Sequence, residues 1–230
     1  MLTESRRRTP VSHIKLSDHQ VDPAALIRNE PVQARSTARL AALLDAAAEV
    51  IDEIGYERLT TAMVADRAGA SIGTVYRYFP DRIAVLQSLA ARNAERMNER
   101  VMAAVRDEQH DDWFAALSAG VAVLVDAYRT EPGFASLRLG DVLDLRPATG
   151  ASANAALASH MYDALVQRFE LPGSDAARLA FEAASAAGDA LVARAFTRDP
   201  EGDEQFIAHA HDIFVALMSP YFAVPANVSR

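Results

Sequence analysis

Between residues 69 and 79 the chain reads GASIGTVYRYF, and the groups crowded there are those that grip phosphates and touch base edges. Thr74, Tyr76 and Tyr78 carry hydroxyls suited to phosphate oxygens, and Arg77 can pair with a guanine edge or with a phosphate. Gly73 has no side chain, so backbone can come close to a base or a sugar there. Ile72 cannot hydrogen-bond a base; what it can touch is a thymine methyl. Thr61 and Arg82 flank the stretch, each close to a predicted helix start, where anions are favoured. A core helix has no use for so many polar groups, and a plain surface helix would carry Glu and Lys instead.

Such a set must be held by a short helix that stands clear of the core. The spacing predicts one over Ile72–Phe79, capped by Ser71 and anchored by Val75. A second short helix precedes it, from Thr60 or Thr61 through Ala68, with Met63, Val64 and Ala68 on its inward side. Gly69 turns the chain sharply between them, and the small Ala65 lets them approach. The pair forms a helix-turn-helix, whose second helix can enter a major groove while the first crosses the backbone. Upstream, Leu40, Leu43, Leu44, Ala47, Ile51 and Ile54 recur at three- and four-residue steps and predict a longer helix that ends at Gly55. Downstream, Asp81 caps a long helix that runs to about Arg106, with Ile83, Leu86, Ala90 and Met97 as its apolar stripe.

The whole chain fits an all-α protein. Half of its 230 residues are hydrophobic, alanine dominates that half, and runs at strand spacing are scarce. There is no cysteine, so disulfides and thiolate metal sites are excluded. No run of about 18 apolar residues reads as a membrane span, and Arg6, Arg7 and Arg8 have no apolar stretch behind them that would make a secretion signal. The cytoplasm is the expected compartment. Net charge is −8, but residues 1–82 hold 11 basic and 11 acidic groups, so all the excess acidity lies in the later two-thirds. A neutral, arginine-bearing head beside an acidic body is compatible with a DNA reader.

Three regions follow from the punctuation: an N-terminal extension over 1–32, partly flexible; a helix-turn-helix domain over 33–82; and a helical domain over 83–230. In the last, helices are predicted near Asp112–Arg129, Pro132–Leu143, Ser152–Phe169, Asp175–Thr197 and Asp203–Ala223. Trp113, Phe114, Tyr128, Phe134, Leu137, Met161 and Phe181 are large side chains that either fill this domain's core or line a pocket in it. The last two helices carry small residues at Ala180, Ala184, Ala187, Gly188 and Ala210, and large apolar ones at Leu191, Phe206, Ile213, Phe214, Leu217 and Tyr221. That stripe is wider than one intramolecular contact needs. The histidines do not fall into a metal-ligand pattern, and no cofactor is expected. No nucleophile triad, HExxH, P-loop or GxGxxG stands at a credible place, so an enzyme is not expected.

The stretch LLDAAAEVIDEIGYERLTTAMVADRAGASIGTVYRYFPDRIAVL resembles the DNA-binding region of the TetR family of transcriptional regulators. The match runs through Gly55, Tyr56, Thr60, Thr61, Ala65, Ala68, Gly69, Ser71, Gly73, Thr74, Val75, Tyr76, Tyr78, Phe79 and Arg82. By position, the resemblance implies that Thr61, Thr74, Tyr76, Tyr78 and Arg82 hold phosphates, while Ile72, Gly73 and Arg77 lie against bases. It implies a homodimer paired through the last two helices, a palindromic operator, a small-molecule effector bound in the later domain, and repression that the effector relieves. Ile72 departs from the family, where this position is often polar or basic. That departure, with the even charge of the head, leaves a second reading open: a helical interaction protein that kept the fold and lost specific DNA binding.

Overall fold

The apolar steps upstream of the turn become α1, Ala34–Ile54, which buries Leu43, Leu44, Ala47, Val50 and Ile51. The structure is a computed structural model that describes residues 34–139 and 153–223. After α1, a single 3-10 turn over Tyr56–Arg58 drops Leu59 into the same core. Next come α2 (Thr61–Arg67) and α3 (Ile72–Tyr78), then the long α4 (Arg82–Val105). Each of these three starts at a side-chain cap. Thr60 accepts from the Met63 N–H at 3.2 Å, Ser71 from the Thr74 N–H at 3.1 Å, and Asp81 from the Ala84 N–H at 2.8 Å. Met63 departs from expectation: it is exposed, and Ala65 takes the inward place beside Val64.

The turn between α2 and α3 explains its glycine. Gly69 sits at φ +57°, its N–H bonds the Asp66 carbonyl at 3.1 Å, and the Ala70 N–H reaches back to the Ala65 carbonyl at 2.9 Å. This is the paired-bond helix ending that needs a left-handed residue after the cap. It redirects the chain within four residues, which sets α3 off from α2 while Val75 and Phe79 remain fully buried.

Beyond α4 lie α5 (Trp113–Thr130), α6 (Phe134–Leu139), α7 (Ala153–Arg168), α8 (Asp175–Arg198) and α9 (Glu204–Met218). Two apolar cores form, and α4 belongs to both. Its Ala84, Val85, Leu86 and Leu89 pack with α1–α3, and its Met97, Val101, Met102 and Val105 pack with α5 and α7–α9. No strand occurs among the described residues, and no described helix is long and apolar enough to cross a membrane. α6 begins two residues later than the predicted 132–143 stretch, and 140–152 lies outside the described residues. α9 stops at Met218, not Ala223, because Pro220 has no N–H to continue the ladder. The N-terminal extension, with Arg6–Arg8, also lies outside them.

The two cores are joined where α5 gives way to α6. The Gly133 N–H donates to Asp52 of α1 at 2.9 Å. A Cβ on Gly133 would stand 2.7 Å from the Ala48 carbonyl oxygen, and its φ is +69°, so both space and backbone require glycine. Just beyond, Leu137 inserts into the core of α1–α4.

Candidate nucleic-acid interface

α3 is divided cleanly between anchor and exposed face. Val75 is buried, and Ser71, Ile72, Gly73, Tyr76 and Arg77 are exposed with Thr74 half-exposed. Around Gly73 a Cβ would meet only the Ser71 hydroxyl, at 3.8 Å, so the backbone is bare on its outer side. Ser71 also lies 2.9 Å from the Thr74 hydroxyl, which pre-orders two oxygens side by side. The Thr61 hydroxyl donates to the Tyr76 phenol at 3.3 Å, so the start of α2 and the middle of α3 present their hydroxyls together. Ile72 is 43% exposed and Tyr76 42%, two of the four large hydrophobics most open to solvent among the described residues.

Two of the predicted residues sit differently from the outward reading. Tyr78 is only 5% exposed; its ring belongs to the core, and its hydroxyl meets that of Ser36 at 3.0 Å. A seven-residue helix with Val75 inward must turn Tyr78 inward too, three residues on. Arg82 is half-buried and donates to the Glu57 carbonyl at 2.5 Å, which ties the start of α4 to the 3-10 turn.

Beside α3 runs a shallow groove of about 550 Å³ whose lining includes Ser36, Arg39, Ser71, Thr74 and Arg77. With Tyr78 also in the lining, it offers two guanidinium groups and four hydroxyls, the chemistry of a phosphate track. Sequence reasoning missed Ser36 and Arg39. The signal was there: α1 opens with Arg35, Ser36 and Arg39 before its apolar face begins at Leu40. The carboxylates of α1 are meanwhile tied back. Arg67 spans Glu53 at 2.6 Å and Glu49 at 3.2 Å, bonds that push its pKa up from an already high value, and Arg92 holds Asp45 at 2.7 Å.

The body contains a cavity of about 280 Å³ between α4, α5, α7, α8 and α9. Of the seven large residues named as pocket candidates, Met161 lines it and the other six do not. Those six are occupied by packing. Trp113 meets Phe114 and Phe222 edge-on and donates its indole N–H to the Ala223 carbonyl at 2.8 Å. Tyr128 stacks on Phe196 with ring centres 4.6 Å apart, and Phe134 stands edge-on to Tyr128. Phe181 is wedged between Tyr162 and Phe214, and Leu137 is in the other core. The space opens where side chains are small, at Gly120, Ala158, Ala186 and Ala210.

The proposed pairing stripe also separates into two. Ala184, Gly188, Ala210 and Phe214 are buried within the chain, where α8 packs on α9, so their smallness serves that contact. A Cβ on Gly188 would come 3.1 Å from the Phe214 ring. Ala210 therefore belongs with Ile207, Phe214 and Met218 in the core-facing stripe, not with the outer one. Ala180, Ala187, Leu191, Phe206, Ile213, Leu217 and Tyr221 are half-buried, and Leu179 is 68% exposed.

Comparison with known proteins matches both halves of this arrangement. Residues 43–89 match the family described as bacterial regulatory proteins, tetR family, and residues 111–220 match a tetracyclin repressor-like C-terminal domain. A TetR-family transcriptional regulator from Streptomyces coelicolor superimposes with a TM-score of 0.64 at 31% identity, covering 80% of this chain and 99% of that one. The complex of SmeT with triclosan superimposes at 0.55 and 19% identity, covering 84% of this chain and 98% of that one; SmeT is the repressor of the Stenotrophomonas maltophilia multidrug efflux pump SmeDEF. The transcriptional repressor KstR of Rhodococcus jostii is 41% identical over 58 residues, which is 25% of this chain and 27% of KstR, so the match spans about a quarter of that relative's length.

Proposed function

This chain belongs to the TetR family of transcriptional regulators, and from that premise we propose that it is a homodimeric repressor, released from a palindromic operator by a small molecule. The observation that carries the reading is the outer face of α3, where hydroxyls, a guanidinium and bare backbone are grouped around one anchored helix. Ile72, Gly73 and Arg77 would lie against bases. Ser71, Thr74, Tyr76 and Thr61 would hold phosphates, helped by Ser36 and Arg39 in the adjoining groove. Arg82 and Tyr78 would act by fixing the head's shape, because each is engaged with the protein itself. We place the reading function in residues 33–82, and pairing and sensing in 83–230, with α4 as the shared beam.

Pairing is supported by the half-buried stripe of Leu191, Phe206, Ile213, Leu217 and Tyr221 on the outer side of α8 and α9. A second copy laid on it by a twofold axis would set the α3 helices roughly 34 Å apart, one turn of DNA. Release is supported by continuity between cavity and head. α5 lines the cavity through Gly120, Val121 and Leu124, and eight residues or so further its end is pinned to α1 by Gly133 and Asp52. An occupant that favours a different position of α5 favours a different position of the head, and operator affinity falls by that difference in binding.

The test is selection of duplexes from a random DNA pool with the full-length protein at physiological salt. A palindrome with half-sites one turn apart is expected. Uniform, salt-sensitive recovery of every duplex would overturn the specific reading and favour a fold that no longer reads sequence.

A further inference from the structure

The body cavity is a narrow passage, polar at its mouth and apolar where it closes, and from this we propose that the effector is an amphiphile with one unbranched aliphatic chain of about ten carbons, bound tail first. The inference rests on reading this cavity as the effector site. Three lining residues are exposed and mark the mouth: Asn154 at the start of α7, and Glu182 and Ala186 on α8. The other polar members stand beside them on α8 and are engaged. Asp189 accepts from Asn154 at 3.1 Å, and the Ser185 hydroxyl donates to the Phe181 carbonyl at 2.8 Å. The members from α4 and α9, Met97, Val101, Ala210 and Phe214, are all apolar and all buried, so the space closes on that side.

Two glycines show how narrow the passage is. A Cβ on Gly120 would stand 3.3 Å from Val101 and 3.5 Å from Met161, and one on Gly188 would stand 3.1 Å from Phe214. All five residues line the cavity, so a single added methyl would bridge its facing walls at either place. A flat ring system also lacks a stacking partner. Phe214 is the one aromatic among the described lining residues, and its ring is turned to Phe181 with centres 5.5 Å apart. Met97 and Met161 are unbranched and adaptable, and can lie along a flexible chain. Length and volume agree. The lining runs from Asn154 to Met161 on α7 and from Glu182 to Val192 on α8, roughly 10 and 15 Å at about 1.5 Å per residue. Ten carbons in extended zigzag span roughly 11 Å, given bonds of about 1.5 Å. The volume of about 280 Å³ equals that of about nine waters at about 30 Å³ each, and a methylene takes nearly as much room. A polar group carried to the closed end would lose its water without gaining a partner, whereas at the mouth a head group of any charge stays hydrated. The mouth therefore sets which end leads, and the chain sets the affinity.

The experiment titrates the full-length protein calorimetrically with 1-hexanol, 1-octanol, 1-decanol and 1-dodecanol. Two ten-carbon comparators are added: 1-adamantanol, whose carbons form a globular cage, and 1,10-decanediol, which is polar at both ends. Affinity is expected to rise about fourfold per methylene up to decanol and to level off at dodecanol. Adamantanol should bind no more tightly than hexanol. The diol should bind at least about tenfold more weakly than decanol, because its second hydroxyl would be buried without a partner. Ala158→Leu, which adds bulk to the buried apolar wall, should move the levelling-off to a shorter chain. Circular dichroism shows whether that variant keeps its helices, and the unmutated protein's series decides alone if it does not. Adamantanol binding as tightly as decanol would overturn the single slender chain, and a diol as tight as decanol would overturn the tail-first orientation. A rise that runs unbroken through dodecanol, or a levelling-off unmoved in a folded Ala158→Leu, would mean that the chains bind elsewhere and would overturn the inference too. Decanol that follows these rules but leaves the protein on its selected duplex would overturn the cavity as effector site. No binding by any alcohol would overturn this inference and leave the reading of DNA by α3 standing.

Discussion

In the proposed reading, Ile72 is the residue at which base readout would turn from hydrogen bonding to shape and methyl contact. It stands at the first position of α3, 43% exposed, beside backbone that nothing covers. Burying one methyl against it contributes about 0.8 kcal/mol, roughly fourfold in affinity. Replacing thymine by uracil at each position of the selected operator should therefore reveal one position per half-site where affinity drops by about that factor, and Ile72→Ala should remove the sensitivity. A flat uracil scan would take Ile72 off the base edges. Arg77→Ala should cost about 1–3 kcal/mol on the best operator and relax specificity at one base pair, if the guanidinium reads a guanine; equal loss on random duplexes would make it a phosphate contact. At this scale the sequence was a good guide to the outer face of α3 and a poor one to the cavity. Motif residues such as Ser71, Gly73 and Tyr76 carry their chemistry in their identity. A cavity is made by what is missing, so its signature is Gly120, Ala158 and Ala210, while the aromatic residues that drew attention fill the core instead.

The elements were legible in proportion to how local their causes are. Thr60, Ser71 and Asp81 cap the helices that their positions announced, and Gly69 makes the turn that its neighbours required. The joint between α5 and α6 was not legible, since the need for glycine at 133 comes from Ala48, far away in the chain. This contrast predicts two different losses. Thr60→Ala removes one capping bond and should cost about 1 kcal/mol, seen as a modest fall in the thermal midpoint. Gly133→Ala must strain a left-handed backbone and displace a carbonyl, so about 1–3 kcal/mol is expected, together with weaker protection of α1 amides from hydrogen exchange. Equal and small effects would show that the joint relaxes freely and cannot carry a signal from α5 to the head.

For the molecule as a whole, composition announced an acidic body and a neutral head, but not how two copies would join. The outer stripe of α9 was legible as excess apolar surface, but two of the residues assigned to pairing, Ala210 and Phe214, face the chain's own core, because periodicity alone does not tell which of two adjacent stripes does so. Leu217 lies in the outer stripe, half-buried in a single chain, so Leu217→Glu puts a charge into the proposed seam while its stem can still lie along the surface. Light scattering should then report one chain in place of two, with the helical circular dichroism kept. The consequence for DNA follows from counting phosphates. Each head neutralises its own set, and the logarithm of affinity falls with the logarithm of salt in proportion to that number. A protein held to DNA by two heads should therefore show about twice the salt slope of the Leu217→Glu monomer, and the monomer should bind a half-site as well as it binds the full palindrome. An unchanged slope in a variant proven monomeric would mean that one head alone makes the contacts, and the twofold arrangement on the operator would fall with it.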